Sequence, residues 1–160
     1  MRLERSALIH YLDTTPASVS ASWYKIGKDV EDMSVDLAAT VEKAKNILDE
    51  TSVRHTGYEA SASVNTYYAD PDDAFYSFIE GIALGRKKGD DCKTEVLEVV
   101  VKDTEDSSHT AYKEDAIIEV QSYGGPQGGV SIPYTIHFSG NRVEGTVTFD
   151  SSKKPTFAPA

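Results

Sequence analysis

The chain has one cysteine, Cys92, and one tryptophan, Trp23, in 160 residues. A single thiol allows no internal disulfide, and nothing points to an oxidising compartment. No apolar run reaches the ~20 residues that span a bilayer. The N-terminal MRLERSALIHYLD has no apolar stretch of signal-peptide length, so folding in a cytoplasm is expected. Positive charge is scarce as well. Sixteen Lys and Arg stand against 26 Asp and Glu, giving a formal charge of −10. That balance argues against stable binding to nucleic acid, which normally requires a basic face.

The signatures of catalysis are also missing. His10, His55, His109 and His137 show neither HxH nor HxxxH spacing, so a zinc site would need distant residues to converge. There is no GxSxG elbow, and Cys92 lies among Asp90, Asp91 and Lys93, where the acids raise a thiol pKa rather than lower it. Gly124–Gly129 (GGPQGG) lacks the GK[ST] that grips phosphate and precedes no helix, which leaves it as a flexible connection. Arg86–Lys88 is too small for a nucleic-acid patch. No enzyme, metal or cofactor reading survives, and the only aromatic platforms, Tyr58/Tyr67/Tyr68 and Trp23/Tyr24, suit packing better than sugar binding.

What is present is mostly strand. With 39% hydrophobic and 26% charged residues the chain is globular. Residues 1–150 read as one domain with an N-terminal arm over 1–18 and a mobile tail over 151–160. Short strands are predicted at 5–12 and 19–26. Residues 33–42 alternate, with Val35, Leu37, Ala39 and Val41 on a dry face and Ser34, Asp36, Thr40 and Glu42 on a wet one. Through a loop, Lys45, Asn46, Ile47, Leu48, Asp49, Glu50 and Thr51, they lead into 53–68, too long for one strand without a bulge near Gly57. Further strands are predicted at 96–102, apolar on both faces, and at 115–123, 130–138 and 143–149.

One helix stands out, over about 71–88. Asp70 suits the N-cap, Pro71 the first turn, and Asp72 and Asp73 complement the helix dipole. Phe75, Phe78, Ile79 and Ile82 form its core face. The acidic corner DPDD is thereby explained by capping, not by calcium, since the loop glycine and distal Glu of a calcium loop are absent. One helix and seven or eight antiparallel strands imply a β-sandwich or open barrel with a flanking helix. One helix cannot cover both sides of such strands, so polar faces and edges are left either exposed or used for self-assembly.

Read in order, WYKIGKDV (Trp23–Val30), NIL (Asn46–Leu48), GYEASASV (Gly57–Val64), YYADPDDAFY (Tyr67–Tyr76) and IPYTIHFSG (Ile132–Gly140) resemble the major tail tube proteins of tailed bacteriophages. The resemblance runs from Trp23 to Phe149 and departs where Asp49 and Glu50 follow NIL in place of a glycine. It implies six-membered rings whose inner strands join around a channel and stack into a tube in the virion tail, assembled in the host cytoplasm. Such a tube would meet the tape measure protein and tail-tip and terminator proteins, and would pass DNA into the host without holding it. It further implies that 33–42, 53–66, 115–123 and 130–138 line the channel, with Asp36, Glu42 and Glu59 as lumen candidates. The loop 43–52, including Lys45–Thr51, and both termini would reach neighbouring subunits. Two other readings stand beside it: a tube of a tailocin or secretion apparatus, and a monomeric β-sandwich module for carbohydrate or protein on a virion.

Overall fold

The alternation of apolar and polar residues along the chain is resolved into ten strands in the computed structural model, which describes residues 1–160. One antiparallel sheet runs in the order β2 (Trp23–Lys25), β1 (Leu8–Asp13), β7 (Lys93–Val100), β8 (His109–Glu119), β9 (Tyr134–Phe149), β6 (Ser61–Val64), β3 (Val35–Asp36). A last strand, β10 (Pro155–Pro159), pairs with the far half of β9. A separate two-stranded ribbon, β4 (Thr40–Lys45) and β5 (Thr51–Gly57), projects from this body as a hairpin arm. The single α-helix, α1, spans Ala74–Ala83. No helix is long and apolar enough to cross a membrane.

The central strands are buried on both faces, because their side chains alternate between two cores. On β7, Val96 enters the larger core with Leu12, Val64, Ile118 and Ile136 beneath α1. Its neighbours Leu97 and Val99 enter a smaller core with Tyr11, Ala111 and Val147 on the opposite face. Trp23, near one edge of the sheet, and Phe157, on β10, line one cleft. The sheet therefore curls around the smaller core as an open barrel. The helix contributes Phe75, Ile79 and Ile82, all buried, with Phe78 half-buried beside them. Phe75 stacks on Tyr24 at 4.6 Å between ring centroids and meets Tyr67 edge-on at 5.0 Å. Burial of each such side chain stabilises the fold by roughly 1.5–3 kcal/mol. Burial pushes the Tyr24 hydroxyl up to about 12, helped by the nearby carboxylates of Asp73 and Asp29.

Several elements differ from the sequence reading. The strand expected over 33–42 is broken into β3 and β4. Ala38 takes a left-handed φ of 43°, and the Asp36 carboxylate accepts its N–H at 3.0 Å. Of the supposed dry face only Val35 packs against the core, while Leu37, Ala39 and Val41 are exposed. The run 53–68 divides into β5 and β6, and the register slips opposite Thr40/Val41, next to Gly57. The strands expected at 130–138 and 143–149 are one continuous β9, in which Gly140 and Asn141 (φ 109° and 57°) absorb a bulge against Asp115.

The N-cap is Asp73, not Asp70. The Asp73 carboxylate accepts from the Phe75 N–H at 3.1 Å, whereas Asp70 and Pro71 form a preceding turn in which Asp70 accepts from Asp72. The helix ends five residues earlier than the expected 88, at Ala83, because Arg86 turns left-handed at φ 50°. Arg86–Lys88 thus lie beyond its last turn. Each terminal region contains a strand. Residues 8–13, expected within an N-terminal arm, are the interior strand β1, and the tail pairs as β10 with Pro155 buried. Gly145 makes that pairing possible: a Cβ there would lie 2.7 Å from the Phe157 ring and closer still to the Ala158 carbonyl.

Candidate assembly surfaces

Three surfaces are left over once the two cores are accounted for. The first is the back of the β3–β6–β9–β8 half of the sheet. Ala62, Val64, Tyr134, Ile136, Ala116 and Ile118 point into the core beneath α1, so the residues between them face outward. The ladder aligns them in rows: Asp36 opposite Ser61, Ser61 opposite His137, His137 opposite Ile117, and Ser63 opposite Thr135, Thr135 opposite Glu119. The Ser63 and Thr135 hydroxyls are 3.4 Å apart. Glu119 accepts from Gln121 and pairs with His137, and those two hydrogen bonds hold its carboxyl below the usual range. These rows contain hydroxyls, carboxylates, one imidazole and Ile117, and the first cation along them is Lys93 on β7, opposite Ile117. Such a face offers a polyanion little counter-charge.

Of the three carboxylates expected to share a channel wall, Asp36 lies in these rows. Glu42 lies on the arm, opposite Arg54, and Glu59 lies in the bend between β5 and β6, its N–H bonded to the Leu37 carbonyl at 3.0 Å. The rows also hold Ser61, Ser63, Thr135, His137 and Glu119, which the sequence reading did not single out. Their signal was the strict alternation SASV and YTIHF.

The second surface is the arm. No residue of β4 or β5 is buried. One face carries the cross-strand pairs Val41–His55, Lys43–Val53 and Lys45–Thr51, and the other carries Glu42–Arg54 and Ala44–Ser52. The His55 ring packs 4.6 Å from that of Tyr58. The expected loop Lys45–Thr51 is the tip of this arm.

The third is a polar cluster that spans three strands. Arg142 Nη1 donates to Glu98 at 2.8 Å and Glu114 at 2.9 Å, and the guanidinium lies 4.6 Å from the Tyr112 ring. Buried His10 approaches Glu98 at 3.5 Å. Burial would raise the Glu98 carboxyl, but the close His10 ring and the hydrogen-bonded Arg142 guanidinium outweigh it and leave the group below its ordinary value. No spacing in the sequence joins residues 10, 98, 114 and 142, so this cluster was not readable there. No group of three His, Cys, Asp or Glu is arranged to hold a metal ion.

A curled antiparallel sheet with two cores, one flanking helix and a projecting hairpin defines a β-sandwich of the open-barrel kind. Among solved structures the chain is similar to the tail tube of SPP1, determined by solid-state NMR and cryo EM. The TM-score is 0.56 at 15% identity, with 89% of this chain and 78% of that one covered. No family profile and no curated protein matches the sequence. At that identity the likeness is one of fold.

Proposed function

We propose that the chain is a non-enzymatic structural protein that assembles with copies of itself into the tube of a phage tail. The observation that carries the reading is the shared fold with a tail tube over 89% of the chain. The exposed arm supports it, since the chain's own fold buries none of the residues of its two strands. In this reading six copies close a ring, rings stack, and the Asp36–Ser61–His137 and Ser63–Thr135–Glu119 rows line the channel. A wall of hydroxyls and carboxylates would let DNA slide past, because little counter-charge holds its phosphates. The arm, with Glu42 and Arg54 paired across it, and the termini contact neighbouring copies. The tape measure protein would fill the tube before DNA does, and tail-tip and terminator proteins would close its ends.

Negative-stain electron microscopy of the purified chain at rising concentration tests this directly. Hollow rings or tubes of uniform width are expected. Monomeric particles at every concentration would favour a β-sandwich binding module instead. Asp36→Lys sharpens the lumen assignment: tubes should form with normal width, while DNA delivery by the virion carrying them falls, because a ring of lysines retains phosphate. Unchanged delivery would remove Asp36 from the channel.

A further inference from the structure

Trp23 and Tyr24 are neighbours in sequence, but the pleat of β2 sends them to opposite faces of the sheet. Tyr24 stacks on Phe75 in the larger core, whereas Trp23 stays half-buried beside the smaller one. There it borders a cleft of about 470 Å³ whose lining also includes Asp13, Glu95, Lys113 and Phe157. Asp13 and Glu95 lie two residues beyond Tyr11 and Leu97 on the same strand faces, so the cleft opens where the smaller core ends. Its volume falls within the ~300–1,000 Å³ of ligand pockets, which favour the mouths of β-barrels.

The cleft contains two pairings of an aromatic ring with a carboxylate. In one, Phe157 with Glu95, the chain supplies its own cation. Lys113 Nζ lies 5.2 Å from the centre of the Phe157 ring and 3.8 Å from the Glu95 carboxylate, within the range of a cation–π contact. In the other, Trp23 stands directly opposite Asp13 in the β1–β2 ladder, so the two side chains share a face. Asp13 is only 5% exposed, and no lysine, arginine or histidine pairs with it. Its Oδ1 accepts from the Thr15 N–H at 2.9 Å, the Ser22 N–H at 3.1 Å and the Thr15 hydroxyl at 3.3 Å, while Oδ2 takes no hydrogen bond within the chain. An asparagine carbonyl would meet those three donors equally well, so the loop does not require the charge. Carboxylates are almost never buried to this extent without a partner for that charge.

We propose that the Trp23–Asp13 half of the cleft binds the ammonium group of a small aliphatic amine. Asp13 is the counter-ion and the Trp23 ring takes the cationic end, as Glu95 and Phe157 already do for Lys113. The formal charge of −10 adds a field that concentrates cations around the chain. Lys113 sets the selectivity, because its ammonium repels a second positive charge in the same cleft. A monoamine is therefore accepted, and a diamine gains nothing from its extra charge. This binding rests on the cleft alone and is independent of self-assembly.

Trp23 is the single tryptophan, so its fluorescence reports on this cleft. The purified chain is titrated at constant ionic strength with n-butylammonium, with putrescine and with n-butanol as the neutral control. A saturable change is expected with n-butylammonium and none with n-butanol, and putrescine should bind no tighter than the monoamine. Asp13→Asn keeps the acceptor that the loop uses and should weaken monoamine binding about tenfold or more, the worth of a hydrogen bond to a charged group. Lys113→Met leaves the Asp13 loop untouched and frees the Phe157–Glu95 half, so putrescine should then overtake n-butylammonium, a gain that misfolding cannot produce. Equal affinity of the parent and Asp13→Asn would overturn the site. Tighter binding of putrescine by the parent would overturn it too, since that ranking marks cations gathered by overall charge. So would a response shared by n-butanol, or no response to either amine. An unchanged ranking in Lys113→Met would overturn the role given to Lys113.

Discussion

Sixteen buried residues converge on the core beneath α1, whereas not one residue of β4 or β5 is buried. The two regions are continuous in sequence and both antiparallel, yet they are held by different forces. The body rests on apolar burial, with Phe75 at the centre of an aromatic cluster of Tyr24, Tyr67, Phe78 and Tyr134. The arm rests on its ladder and on the Asn46 turn. A lone two-stranded ribbon is at best marginally stable in water, so the arm lies at the low end of the chain's local stability until another surface covers it. A region whose geometry is well specified but whose burial is missing is where the proposed self-assembly would supply a second surface.

The largest effect should come from the body. Phe75→Ala removes a fully buried ring and is expected to cost about 3–5 kcal/mol, read as a fall in the urea midpoint at unchanged slope. A loss below about 1 kcal/mol would mean that the aromatic cluster does not carry the body.

The same comparison explains what could be read in advance. The face Phe75, Ile79, Ile82 was legible because helical periodicity reports burial in the chain's own core, and the strand expected over 96–102 was legible as far as Val100, where β7 ends, because both faces of β7 are covered. The alternation Val35, Leu37, Ala39, Val41 is equally clear, but it does not mark the dry face of one strand, since only Val35 packs inside the chain. Alternation shows which residues share a face without showing that the chain's own core covers it. The break itself gives no signal, because Ala38 at positive φ has no sequence mark of the kind a glycine gives. β10 is hidden for a similar reason. Pro155 and Pro159 speak against a strand, yet Pro is tolerated where β10 forms the outer edge along β9. The cleft residues lie on segments far apart in sequence and could be assembled only by the fold.

A middle-sized effect is expected at Gly145, where body and tail meet. Gly145→Ala drives a methyl group into the Phe157 ring and the Ala158 carbonyl. Overpacking of this kind costs roughly 1–3 kcal/mol. The loss should be local: amide hydrogens of β10 exchange faster while those of β7 keep their protection. Uniform loss across the sheet would show that β10 belongs to the body's cooperative unit and not to its rim.

The smallest effect on stability should accompany the largest on assembly. Thr40 and Gly57 face each other at the foot of the arm, so residues 41–56 can be replaced by an Asn-Gly turn without moving the body. Removing a ribbon with no buried residue should change the unfolding free energy by less than about 1 kcal/mol, a loop-closure effect of either sign. Yet the excised chain should stay monomeric where the full chain forms tubes. A stability loss as large as that of Phe75→Ala would place the arm in the body's own folding unit and end the contrast between them. Tubes of normal width from the excised chain would keep the contrast but strip it of its meaning. The arm would then be an appendage, and the surfaces that join the copies would have to be sought on the sheet itself.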